Sequence, residues 1–228
     1  VDGGWQSGLF TYHGKAEEEA TGEKARGSKC AVDYARMDLR EEEDVASALS
    51  EANKAEAGLK GVVFASGAKI LQPFVSEMTQ EQWNEVIEIE LLGFARLIRL
   101  TIPILRANGG GVIVSVVSFA TYRFPPGDAI SAVPKAGVEM LTRAVAREEG
   151  RNGIRANSVA PGIINAGLGN VVQNQVFSPE IWDQQKKRVP LRRFGEAVDI
   201  AEAVRFFASS RSAYVTGQTP IVDGGLQI

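Results

Sequence analysis

Three side chains stand at spacings that could do chemistry. Ser118 ends the run Gly111 to Ser118 (GVIVSVVS), Ser131 follows thirteen positions later, and Lys135 stands four beyond that. Hydroxyls donate and accept hydrogen bonds, and an ammonium shifts the acidity of its neighbours, so the group could serve proton transfer. What it lacks is an acid. A phenol titrates near pH ~10 and an aliphatic alcohol is far weaker, so a nearby ammonium cannot bring a serine close to neutrality. Glu90 and Tyr122 are the other groups that could move a proton. His13, the one histidine, reads as a loop residue, and Cys30, the one cysteine, as a small buried hydrophobe. No metal site is expected.

The elements that must position these residues alternate between strand and helix. Apolar or β-branched runs predict strands at Leu9 to Tyr12, Cys30 to Met37, Gly61 to Phe64, Val112 to Val117, Ile154 to Ala160 and Pro220 to Val222. Helices are expected over Lys15 to Arg26, Glu41 to Lys54, Thr79 to Arg106, Ser131 to Glu149, Pro179 to Lys187 and Ala197 to Ser209. Pro103 is expected to kink or end a segment of the long helical stretch. Such alternation implies right-handed βαβ units and an α/β doubly wound parallel sheet covered on both faces. No repeat, low-complexity tract or linker divides the chain, so one domain over residues 1–228 is expected.

Composition narrows the function classes. The 228 residues are 44% hydrophobic and 23% charged, with a net charge of −3, which gives no basic footprint for nucleic acid. No apolar run approaches the roughly 18 residues of a membrane helix. A single cysteine argues for a reducing compartment and a cytoplasmic location.

Several separate stretches resemble the short-chain dehydrogenase/reductase family. They are Arg188 to Gly195 (RVPLRRFG), Asp199 to Ala208, Tyr214 to Gln218 (YVTGQ), Ile221 to Gly225 (IVDGG) and Gly153 to Gly162 (GIRANSVAPG). The likeness runs from about Thr11 to Ile228. It implies a Rossmann-like fold, an NAD(P) cofactor and hydride exchange between a secondary alcohol and a ketone. In that pattern a strand-end serine holds the substrate oxygen, a tyrosine transfers the proton, and a lysine four residues later holds the cofactor ribose and lowers the phenol's pKa. Ser118 and Lys135 match, while Ser131 stands at the tyrosine position. Glu90, within Trp83 to Gly93 (WNEVIEIELLG), stands where the family places an asparagine of the proton relay. The cofactor positions implied are Gly3, Gly8, Asp38, Gly67, Pro161 and Gly162. Phe64 to Gly67 (FASG) keeps only the glycine of its motif, and Asp38 serves equally as an acid near a helix start.

The N-terminus departs most. A dinucleotide site needs a strand, a glycine-rich turn and a helix N-terminus at the pyrophosphate. Val1 to Gly8 (VDGGWQSG) resembles only the turn, and the chain passes at once to Leu9, which looks like the family's second strand. A parallel crossover needs a dozen residues or more. The first βα unit is thus degenerate or missing, with some strand expected to be rebuilt from residues 1 to 8. His13 and Lys15 could meet a 2′-phosphate.

Three functions are compatible with this pattern. The favoured expectation is a non-catalytic pseudoenzyme subunit that binds no cofactor firmly and assembles with an active, NAD(P)-carrying paralogue. That pattern is similar to the inactive subunit of the heterotetrameric 2-(hydroxy(phenyl)methyl)succinyl-CoA dehydrogenase. The alternative is an active NAD(P)-dependent alcohol dehydrogenase or ketoreductase, a homo-oligomer with a rearranged site that uses Glu90, Tyr122 or water. The third is a ligand-binding module without hydride transfer.

Overall fold

The computed structural model describes residues 7–12, 31–68, 73–167, 169–170 and 178–228. Among the described residues, strands run in the order β1 (Ser7–Tyr12), β2 (Ala31–Arg36), β3 (Gly61–Phe64), β4 (Gly111–Val116), β5 (Ile154–Pro161) and β6 (Ile221–Val222). Their pairings are parallel. Helices α1 (Glu42–Ala52), α2 (Gln80–Val86), α3 (Gly93–Ala107), α4 (Ala129–Glu149), α5 (Pro179–Arg188) and α6 (Ala197–Ala208) connect or follow the strands. Among the described residues no helix is long and apolar enough to cross a membrane.

The sheet is divided. Strands β3-β4-β5-β6 form one sheet and β1-β2 another, and among the described residues no ladder joins β1 to β3. Leu9 and Thr11 of β1 line the same cavity as Val62 and Val63 of β3. Val63 is 49% exposed, although its cross-strand partner Val114 is fully buried. Most of the replacement strand expected from residues 1 to 8 lies outside the described residues. Ser7 and Gly8 open β1 and pair with Ala31 and Val32, because they continue the same extended run. Residues 1–6 lie outside the described residues, as do His13, Lys15, Cys30 and the helix expected over Lys15 to Arg26.

The four-stranded sheet carries the main core. One face of β4 and β5 buries Ile113, Ile154 and Ala156 against Phe94, Leu97, Ile98 and Leu105 of α3 and Val138 and Val145 of α4. The other face packs Val112, Val114 and Val159 against Phe207 of α6. Burial on both faces is why β4 reads as a continuous valine-rich run rather than an alternating one.

The long helical stretch breaks at a different place from the one expected. Helix α3 runs through Pro103 to Ala107. Pro103 is exposed, so the carbonyl it leaves without an intrahelical donor is on the side open to water. The irregularity lies earlier, at Ile87–Leu92, where the helix widens into a π-type turn and Gly93 N–H bonds to Glu88 O, five residues back. Gly137 on α4 accommodates this segment: a Cβ there would stand 2.8 Å from Leu91 Cδ1.

Candidate functional site

The carboxyl ends of β3, β4 and β5 open into one cavity, which is where ligands bind in doubly wound sheets. Its volume is about 2730 Å³, several times the ~300–1,000 Å³ of a single ligand pocket. Its lining extends from the strand ends to Leu9 and Thr11 of β1 and to Gly61, Gly111 and Gly153 at the amino ends of β3, β4 and β5. Ser118, Ser131, Lys135, Asp38, Gly67, Pro161, Gly162 and Gly8 all line it. Separate stretches of sequence thus contribute to one cavity wall.

Ser118 follows the end of β4 in extended conformation. Its hydroxyl accepts the Ala120 N–H at 3.1 Å and so starts the short helical turn Phe119–Thr121. Ser131 and Lys135 lie one turn apart on α4, and an i,i+4 spacing places them on one helix face. Lys135 is only 8% exposed. Its Nζ donates to Ser66 O at 2.7 Å and sits 5.5 Å from the centre of the Phe64 ring. The turn after β3 therefore fixes the lysine.

Glu90 completes this arrangement from behind. The π-type turn carries it to within 3.2 Å of Lys135 Nζ through Oε2, and Oε1 accepts the Ala68 N–H at 2.7 Å. Glu90 is 3% exposed. Among the described residues Oε2 accepts no hydrogen bond despite that short distance, so the contact is an ion pair off the hydrogen-bonding direction. A buried carboxylate needs such a partner, since desolvating it alone costs several kcal/mol. Glu90 does not line the cavity.

Tyr122 does not reach the site. Its hydroxyl donates to the buried carboxylate of Glu139 on α4, and its ring lies outside the lining of the cavity. Burial, and then the bond to Glu139, push the phenol above its usual range, the wrong direction for a proton donor. Asp38 lies at the cavity wall, and Arg40 grips it. The carboxylate takes the Arg40 main-chain N–H at 3.0 Å, Nε at 2.9 Å and a terminal guanidinium nitrogen at 2.6 Å. Gly8 is a strand residue rather than part of a turn, and Gly3 lies outside the described residues.

Sequence reasoning missed the Ser66 carbonyl, the Ala68 N–H and Arg40. The spacing of Asp38 and Arg40 was the one available signal, because an aspartate commonly binds main chain two residues on.

These residues fit the nicotinamide end of a dinucleotide. Gly67 faces the Glu90–Lys135 pair without a side chain; a Cβ there would lie 3.6 Å from Glu90 Oε1 and 3.9 Å from Lys135 Nζ. The space in front of the ammonium stays open as a result. At the edge of β5 Gly162 is pressed against Asp223, and a Cβ on this glycine would stand 2.6 Å from Asp223 Cβ. Residues 1–6 of the expected phosphate turn are outside the described residues.

A family model described as enoyl-(acyl carrier protein) reductase matches residues 6–227. The chain belongs to the short-chain dehydrogenase/reductase family. Relatives within it include a 3-oxoacyl-(acyl-carrier-protein) reductase FabG of Chlamydia muridarum, 32% identical over 220 residues, covering 96% of this chain and 85% of the relative. A protein of the same name from Staphylococcus epidermidis is 38% identical over 149 residues. That match covers 65% of this chain and spans only 59% of the relative's length. Among solved structures, a gluconate 5-dehydrogenase from Burkholderia cenocepacia J2315 in complex with NADP and tartrate superposes with a TM-score of 0.84 at 26% identity. The superposition covers 96% of this chain and 84% of that one.

These family members overturn the expectation of a non-catalytic pseudoenzyme subunit. The relatives are named as reductases and dehydrogenases. Ser118, Ser131 and Lys135 line one cavity, and the buried Glu90 carboxylate faces the lysine.

Proposed function

We propose that this chain is an NAD(P)-dependent oxidoreductase that interconverts a ketone and a secondary alcohol in a rearranged site. The observation that carries the reading is that Ser118, Ser131, Lys135, Gly67, Pro161 and Gly162 line one cavity, with Gly67 facing the Lys135 ammonium. Lys135, Gly67, Pro161 and Gly162 would hold the nicotinamide half, and Asp38 the adenine side. The bound dinucleotide would supply or accept the hydride. Ser118 and Ser131 would bind the substrate oxygen, since each hydroxyl can donate to it. The relatives' names favour 3-oxoacyl groups as substrates.

Self-association belongs to the same reading. Val133 and Met140, seven residues apart on one face of α4, are 49% and 61% exposed. A second copy of this chain would cover that stripe.

The test is turnover of ethyl acetoacetate with NADH or NADPH by the purified chain, followed by loss of reduced-nicotinamide absorbance. Thermal melting with and without dinucleotide accompanies it; saturation at 100 times Kd stabilises by about 2.7 kcal/mol. Turnover with either cofactor is expected. No turnover and no thermal shift with both would overturn the reading.

A further inference from the structure

We propose that Arg40 sets the base specificity of this site: it takes up the Asp38 carboxylate and offers its own guanidinium to the cavity, so that a purine dinucleotide is bound without its 6-amino group being read. The inference rests on the oxidoreductase reading, which puts the adenine side of the dinucleotide at Asp38, and names what the base meets there.

An aspartate on such a wall would ordinarily tell one purine from another. Ionised, it only accepts hydrogen bonds, so it selects a base that carries an amino donor. Here that capacity is occupied from within the chain. Oδ1 of Asp38 accepts the Arg40 main-chain N–H at 3.0 Å and its Nε–H at 2.9 Å. Oδ2 accepts a terminal guanidinium N–H at 2.6 Å and shares the Nε–H at 3.2 Å. A carboxylate has about four acceptor sites, and these contacts fill them. Exposure divides the pair in the same sense. The Asp38 side chain is 10% exposed and that of Arg40 43%. Both residues line the cavity, and the arginine is the one that an incoming base meets.

The wall that carries Arg40 is fixed from two helices. The Asp38 N–H donates to the Asp44 carboxylate of α1 at 3.0 Å. The Arg96 guanidinium of α3 donates to Leu39 O and, at 3.0 Å, to Glu88 Oε1 of the π-type turn. Gly93 lies against Leu39: a Cβ on this glycine would stand 2.9 Å from Leu39 Cβ. With the backbone held, the side-on pairing with a carboxylate sets the plane of the guanidinium as well as its position. A planar, weakly hydrated cation stacks on the face of an aromatic ring, and every base has such a face. Arg40 thus adds affinity for a purine without choosing among purines.

The experiment compares two reduced dinucleotides that differ in one group: NADH and its analogue with unsubstituted purine in place of adenine. If NADPH rather than NADH shifts the melting temperature, the pair is built on NADPH. Nicotinamide fluorescence gives each Kd with no substrate present. The parent chain should bind the two within about twofold, less than one net hydrogen bond contributes. Arg40→Ala bares the Asp38 carboxylate, and the adenine dinucleotide should then bind about tenfold more tightly than the analogue, as expected of a hydrogen bond to a charged group. The analogue should bind this variant about 2–5-fold more weakly than it binds the parent chain, because a cation has left the ring face. A parent chain that prefers adenine beyond the stated factor overturns the assignment and leaves the oxidoreductase reading standing. So does an Arg40→Ala variant that binds the two alike. A parent chain that binds no dinucleotide and turns over no ketone overturns both. If Arg40→Ala does not fold, as judged by melting, Arg40→Met takes its place: it keeps the stem without the donors, should show the same preference for adenine, and overturns the assignment if it shows none.

Discussion

The two halves of the divided sheet differ in how completely they are built. Strands β4 and β5 have neighbours on both sides and helices on both faces, and Ile113, Val114, Ile154, Ala156 and Val159 are fully buried. Among the described residues strand β1 pairs only with β2, and Gly8 and Thr11 are exposed. Its other edge faces the slot toward β3. The acid–base residues all hang on the completed half, while the partial half offers only the wall near Asp38. Catalytic geometry demands fixed side chains, and here it draws on the part of the molecule with the densest support.

The sharpest way to break this comparison is a pair of truncations. Phe94, fully buried and 4.7 Å from the Phe64 ring, should lose about 3–5 kcal/mol as Phe94→Ala. Leu9→Ala, at a half-buried position in β1, should lose less than half of that. Denaturant unfolding measures both; equal losses would show that the two halves share one core.

A finer comparison uses two residues facing each other across one ladder. Val63 and Val114 are direct partners, yet one is 49% exposed and the other fully buried. Val114→Thr buries a hydroxyl and should destabilise by about 1–3 kcal/mol. Val63→Thr should change stability by no more than about 0.5 kcal/mol. A large loss at Val63 would mean that the slot is covered in solution.

The smallest effect concerns the surface of the completed half. Two hydrogen bonds from the Arg193 guanidinium, with further help from the Glu196 N–H, lower the Asp199 carboxyl to about 2. Its folded pKa is depressed, so its contribution is present above the ordinary value near 3.8 and fades as pH falls toward about 2. Asp199→Asn should be less stable than the parent chain at pH 5, and the difference should vanish near pH 2. A gap that persists at pH 2 would assign the effect to packing instead.

The strands were legible because valine-rich runs such as Gly111–Val116 and their turn residues are local signals. The break in the sheet was legible in part: too few residues separate Gly8 from Leu9 for a crossover, yet where Ser7 and Gly8 would pair was not. Passage of α3 through Pro103 depended on which side of the helix meets water, a tertiary matter. The Ser118, Ser131 and Lys135 positions were proposed from their resemblance to the family's motif. The meeting of Lys135 with Glu90 was not legible, since two distant helices bring it about, and neither was the diversion of Tyr122 toward Glu139.

The widened turn at Ile87–Leu92 separates two alignments that a regular helix would tie together. Each residue advances an α-helix by about 100°, so one surplus residue re-phases everything after it. The row of α3 that fills the core, Phe94, Leu97, Ile98, Thr101 and Leu105, is set on one side of the surplus residue, and the entry from α2 on the other. Deleting one residue here would swing α2 around relative to α3 or drag Glu90 off Lys135. An inserted or deleted residue here is expected to move Glu90 or α2, while the row of α3 that fills the core keeps its own spacing.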